Sequence, residues 1–177
     1  ISFIGIGQKD AAASGGEKAV EAAKAAGWDK IEAAYIAGVQ GDSTNTARMD
    51  GYREGITEAG GEFLDNETQY ANATADLAVT AMEGIMSKYP DGVAIICSNN
   101  DDMALAAART AKSNPNYAKT IFLGFDGQKS ACEAVAAGVK TKWLENAPVV
   151  SQFNHPGTTF GTFDDFAGYT PSRDVVL

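Results

Sequence analysis

The sequence predicts an α/β domain, a three-layer sandwich with a mainly parallel sheet between helices. Three observations lead there. Short apolar runs alternate with alanine-rich stretches of helical spacing, five times in succession. Glycine, proline or asparagine marks each changeover, so the connections are short. Several apolar runs are nearly continuous rather than alternating, as strands are when both of their faces are covered.

The elements follow in order. "SFIGIG" leads into a helix from about Ser14 to Ala26, and "IEAAYIAG" into one from about Thr44 to Ala59. "GEFLDNET" precedes a helix from about Thr74 to Lys88, and "GVAIICS" one from about Asp101 to Ser113. "TIFLGF" precedes a helix from about Lys129 to Ala137. In the second helix, Ala47, Gly51, Gly55 and Ile56 share a packing face, which leaves Arg48, Arg53, Glu54 and Glu58 to solvent or a cleft. The regularity stops after Pro148. Residues 149–177 hold four of the eight phenylalanines and the single histidine, His155, but only one cationic residue, Arg173. With neither helix nor strand period, this stretch reads as an extended tail or as an arm that packs its phenylalanines elsewhere. Residues 1–148 are therefore one domain and 149–177 a tail.

Composition narrows the function. A net charge of −9 argues against a nucleic-acid surface, which needs clustered Lys and Arg, and against adhesion to anionic membranes. No apolar run nears the ~18 residues that a bilayer span requires. The chain opens on Ile1 without a Met, which reads as a processed or truncated piece whose missing front would carry any targeting signal. Cys97 lies in an apolar run and Cys132 on a helical pattern, with no His/Cys cluster, so neither a metal nor a thiol-redox site is expected.

The loops carry the chemistry. In "AIICSNNDDMALAAA" an apolar run stops at five polar residues before a helix begins. One of them would suffice as a helix cap. The others read as a polar cluster at the carboxyl end of a buried strand, where open α/β sheets bind ligands. The other strand ends add to the same rim. "AGVQGDSTNTARMDGYREG" offers Asp42, Thr44, Asn45 and Arg48, "DNETQYANAT" offers Tyr70 and Asn72, and "GFDGQKS" offers Asp126. Asn99, Asn100 and Asp101 complete the set. Taken singly, Arg48 could be a solvated helix residue, Asp126 a turn residue and Tyr70 a packing residue. Taken together they suit a sugar. Planar Asn, Asp and Arg groups engage paired hydroxyls, and an aromatic ring covers the apolar face of a pyranose.

Catalytic readings fit less well. "GIGQKD" lacks the third glycine of a dinucleotide loop, since Asp10 stands there. No phosphate-binding G-x-x-x-x-G-K-[ST] and no G-x-S-x-G nucleophile elbow occurs. His155 lies in the irregular tail, away from any Ser-His-Asp arrangement. The chain reads as a binding protein rather than an enzyme.

"FIGIGQKDAAASGG", "GVQGDSTNTARMDGYREG", "CSNNDDMALAAA" and "IFLGFDG", in this order, resemble the ribose/galactose-type periplasmic sugar-binding proteins of bacterial ABC importers. Their fold, the type I periplasmic binding protein fold, is shared with the effector domains of LacI-like repressors. The resemblance runs from about Ile1 to Pro148. It rests on the joint spacing of Gly41, Arg48 and Gly51, on Asn100 to Leu105, and on Gly-Phe-Asp-Gly around Asp126. It implies sugar-binding roles for Arg48, Asn100 and Asp126, for Asn146 in "WLENAP", and for Tyr70 near the aromatic position. It also implies a monosaccharide ligand, no cofactor, an importer permease as partner, and a periplasmic or other extracytoplasmic location.

Departures from the pattern shape further expectations. Members of the family clamp sugar between two lobes, and this chain corresponds to the carboxyl-terminal lobe, with residues 1–7 matching at most the last strand of the other. Half a sugar site is then expected. "GWDKIEAAYIAG" leaves no room for the calcium loop of galactose-type members. Asp42 and Thr44 fit neither the ribose nor the galactose pattern. The repressor effector core is an alternative, although "NNDDMALAAA" and "GFDG" resemble the transport proteins more. A single-lobe domain that self-associates, as a homodimer for example, is another.

Overall fold

The computed structural model describes residues 7–138 and 149–150. Its elements run α1 (Gln8–Ala25), β1 (Glu32–Ala37), α2 (Ser43–Glu58), β2 (Glu62–Phe63), β3 (Gln69–Tyr70), α3 (Ala75–Lys88), β4 (Ile95–Ser98), α4 (Asp101–Ala111), β5 (Ile121–Leu123), α5 (Lys129–Gly138) and β6 (Val149–Val150). Every strand pairing is parallel, and the order is β2-β1-β4-β5-β6, with β3 following β2 along the same side of β1.

Strand periodicity builds two cores from one sheet. Successive side chains point to opposite faces. Ala33, Tyr35 and Ala37 thus pack with Ile95, Cys97, Ile121 and Leu123 under α1 and α2. Ala34, Ile36, Ile96 and Phe122 face the other way, under α3, α4 and the start of α5. Helices cover both faces, as the continuous apolar runs require.

Three differences from the sequence reading have physical reasons. Helix α1 starts at Gln8, not near Ser14. Gln8 to Ala13 are sound helix formers with Asp10 in the favourable first turn, and the Gly15-Gly16 pair is tolerated inside a packed interface. "GEFLDNET" is not one strand. Asp65–Glu67 form a short 3₁₀ turn that separates two-residue strands, and each of these pairs with a different part of β1. Val149 and Val150, counted from sequence with the tail, pair with Phe122 and Leu123 as β6. All of "SFIGIG" but Gly7, and the rest of the tail, lie outside the described residues.

The two ends of the sheet are built differently. Where chains enter strands, side chains bond to backbone across the sheet. Trp28 Nε1 donates to Lys119 O at 2.8 Å and Thr120 Oγ1 to Val93 O at 2.7 Å. Asn114 and Asn116 both donate to Pro90 O, at 2.9 and 3.0 Å. At the other end, the chain leaves β1 to the β2/β3 side and later returns to place β4 on β1's opposite side. The gap between the carboxyl ends of β1 and β4 is the topological switch point, the usual ligand crevice in open α/β sheets.

Candidate functional site

Helix capping supplies the first layer of the rim. Asp42 precedes α2 and its Oδ1 accepts from Asn45 N at 2.7 Å. Asn100 caps α4, with Oδ1 accepting from Met103 N at 2.9 Å. The capping role suggested by the sequence for the Ser98–Asp102 junction is real for Asn100, and Asp42 has the same role at α2. Asn100 does more, because its Nδ2 donates to Ala73 O at 3.2 Å. That carbonyl belongs to a turn in which Asn72 and Ala73 both adopt positive φ, 47° and 59°. Consecutive left-handed residues without glycine store strain, and such strain collects at functional sites.

Arg48 is the centre of the site. It sits one turn into α2 with only 7% of its surface exposed. Its Nε donates to Gln8 Oε1 at 2.8 Å, Nη1 to Asn99 O at 2.7 Å and Nη2 to Asp126 Oδ1 at 2.9 Å. The guanidinium carbon lies 3.8 Å from the centre of the Phe125 ring. A cation over an aromatic face gains electrostatic attraction, and here the ring also fixes the plane. A guanidinium has five N–H donors, and two of these have no acceptor among the described residues.

The loop after β5 brings Asp126 to Arg48 at φ 101°. It is held in turn by Asp101, whose Oδ2 accepts from Gln128 N at 2.7 Å. Behind Arg48 lies a buried amide cluster. Asn45 Oδ1 accepts from Gly38 N at 2.7 Å, Asn99 Nδ2 at 3.1 Å and Tyr35 OH at 3.2 Å. Burial pushes the Tyr35 phenol well above its ordinary pKa, so it stays a neutral donor.

The sequence-derived residues fall as follows. Arg48 and Asp126 meet directly. Asn100 follows the residue whose carbonyl binds Arg48, and it faces the Ala73 turn. Tyr70, 44% exposed, ends β3 opposite Ala37 and reaches the same edge. Asp42 and Thr44 stand at the start of α2. Asn146 lies outside the described residues. Gln8 and Phe125 were missed, and Asn45 and Asn99 were seen only as rim polar groups. Gln8 is the first polar residue after "FIGIG", and Asn45 is one turn before Arg48 on the same helix face, so both carried a signal. Among the described residues, no group of three His, Cys, Asp or Glu could hold a metal ion, and no helix is long and apolar enough to cross a membrane.

Comparison with known proteins places this geometry in context. A periplasmic binding protein domain matches residues 1–149. The HTH-type transcriptional regulator CelR of Thermobifida fusca is 33% identical over 100 residues, which is 56% of this chain and 28% of the regulator. The fructose import binding protein FruE of Bifidobacterium longum is 29% identical over 112 residues, 63% of this chain and 33% of that protein. The chain therefore spans about a third of the length of these curated relatives. Among solved structures, the periplasmic ribose ABC transporter protein of Conexibacter woesei superposes with a TM-score of 0.61 at 29% identity, covering 80% of this chain and 45% of that one. With a family domain matched over most of its length and a parallel sheet whose switch point carries the polar rim, the chain belongs to the periplasmic binding protein family.

Proposed function

We propose that the chain is the solute-binding component that captures a monosaccharide of the ribose, galactose or xylose class for an ABC importer, working outside the cytoplasm beside a membrane permease. Residues 1–148 are its sugar-binding unit. One observation carries this reading: Arg48 is held in a fixed plane by three acceptors and the Phe125 ring, with two donors left over among the described residues. A pre-oriented fork of this kind suits a pair of sugar hydroxyls and loses little entropy on binding. Asn100, Asp126 and Asn146 add polar contacts, Asp42 and Thr44 line the rim, and Tyr70 offers an aromatic face. Two similar proteins, one named for ribose and one for fructose, support the same ligand class. No catalytic step and no cofactor enters this reading.

Calorimetry with ribose, galactose, glucose and xylose tests it. A site with one wall offers about half of the contacts of a clamped sugar. Halving the ~8 kcal/mol of a micromolar binder leaves ~4 kcal/mol, which is millimolar. Weak heats that vanish in Arg48→Lys are expected. Heats equal in wild type and variant would reject the assignment. Micromolar binding that appears only for a dimer in sedimentation would mean that a second copy supplies the missing wall.

The 33% identity to a transcriptional regulator favours a second reading, the effector-binding core of a LacI-like repressor. Fractionation of the source cells separates the two. The importer reading requires the protein outside the cytoplasm, and the repressor reading requires it within.

A further inference from the structure

We propose that Asn45 is a positioning residue for Arg48 and acts through the end of strand β4 rather than through the ligand. The inference rests on reading Arg48 as the sugar-binding donor. Arg48 Nη1 bonds to a main-chain carbonyl, that of Asn99, at 2.7 Å. A carbonyl can hold a guanidinium in one orientation only if the residue that bears it is fixed. The Asn99 backbone N–H donates to Ile36 O at 3.1 Å, which continues the β1–β4 pairing past Ser98. The Asn99 side chain is the second anchor, and its Nδ2 reaches Asn45 Oδ1 at 3.1 Å and Tyr35 OH at 3.3 Å. With its amide nitrogen and side chain both tied, Asn99 directs its carbonyl at Arg48.

Asn45 joins this anchor to the other side of the switch point. Its Oδ1 also accepts from Gly38 N at 2.7 Å, in the turn that leaves β1. That turn has no room for a side chain. A Cβ at Gly38 would lie 2.9 Å from both Cγ and Oδ1 of Asn99. One buried oxygen thus links the exits of β1 and β4. Asn45 and Arg48 are one turn apart on α2, so the same helix carries the donor and the group that orients the donor's acceptor. Asn45 is 2% exposed and Asn99 8%, so water cannot readily replace either partner.

Hydrogen exchange at the arginine Nε–H groups tests this without any sugar. Among the Nε–H signals of the four arginines in a nitrogen-15 spectrum, the one lost in Arg48→Lys is assigned to Arg48. Asn45→Ala should speed exchange at Arg48 Nε–H about tenfold or more, the scale expected when a buried hydrogen-bond network opens locally. The Arg53 signal, bound to Asp65 on the far side of α2, should not change. Asn45→Asp keeps an acceptor oxygen and should restore protection. Asn99→Ala keeps the carbonyl but removes the tether, so it should accelerate exchange even if Asn45→Ala fails to fold. Unchanged Arg48 exchange in Asn99→Ala, or no rescue by Asn45→Asp, would overturn the proposal. Calorimetry that finds no sugar at all would reject the sugar reading and leave this result standing.

Discussion

Asp126 combines two features that pull in opposite directions. Its carboxylate accepts from Arg48 at 2.9 Å, yet its φ of 101° crowds any side chain against its own backbone. Replacing it separates the two effects. Asp126→Ala loses the ion pair and keeps the strain, whereas Asp126→Gly loses the pair and relieves the strain. The carboxylate is a third exposed, so solvent screens part of the pair's worth. Asp126→Ala should therefore be the less stable variant by about 1 kcal/mol, read from urea midpoints. Equal midpoints would show that the backbone at 126 is not strained. Strand-end logic found this residue and Asn99 in the sequence, because a polar residue just after a buried strand is visible one position at a time. Which acceptors Arg48 pairs with was not visible in the same way. They lie 40, 51 and 78 residues away, and nothing local in the chain announces such pairings.

Helices α1 and α2 approach closely enough that their glycines decide the spacing. A Cβ added at Gly55 would fall 1.9 Å from Ala13 O, and one at Gly51 2.1 Å from Lys9 O. Gly84, in α3, has nothing within 4 Å. The same substitution should then have opposite signs. Gly55→Ala should destabilise by about 3 kcal/mol or more through overpacking against backbone. Gly84→Ala should stabilise by about 0.5–1 kcal/mol through helix propensity alone. Thermal melts of both variants check the pair, and destabilisation by Gly84→Ala would contradict the open surroundings seen at that position. Gly51, Gly55 and Ile56 were legible as a packing face from their helical spacing, and α2, α3 and α4 begin within a residue of their sequence-based positions. The start of α1 and the break in "GEFLDNET" were not. Both depend on tertiary neighbours, α2 for the first and the length of β1 for the second, which outweigh local propensity.

The molecule as a whole should lose stability in base. Burial raises the pKa of the Tyr35, Tyr52 and Tyr117 phenols, and it does the same for the Cys97 thiol. A raised folded-state pKa leaves stability intact below the unfolded value, near 10 for tyrosine. Above it the unfolded chain ionises and the folded chain does not, so stability falls by about 1.4 kcal/mol per pH unit for each such group. Urea midpoints should be flat up to about pH 9 and then drop, with tyrosinate absorbance from the buried Tyr35, Tyr52 and Tyr117 appearing only as helical signal is lost. Tyrosinate formation by most of the six tyrosines in a chain still folded would contradict the burial. The parallel register has a wider consequence. It sends every exit from a strand to one edge and every entry to the other, and Trp28, Thr120, Asn114 and Asn116 fasten the entry edge. Inheritance can therefore act on the two edges separately. Lineages that share the fastened edge can diverge in what they recognise by rewriting the exit turns.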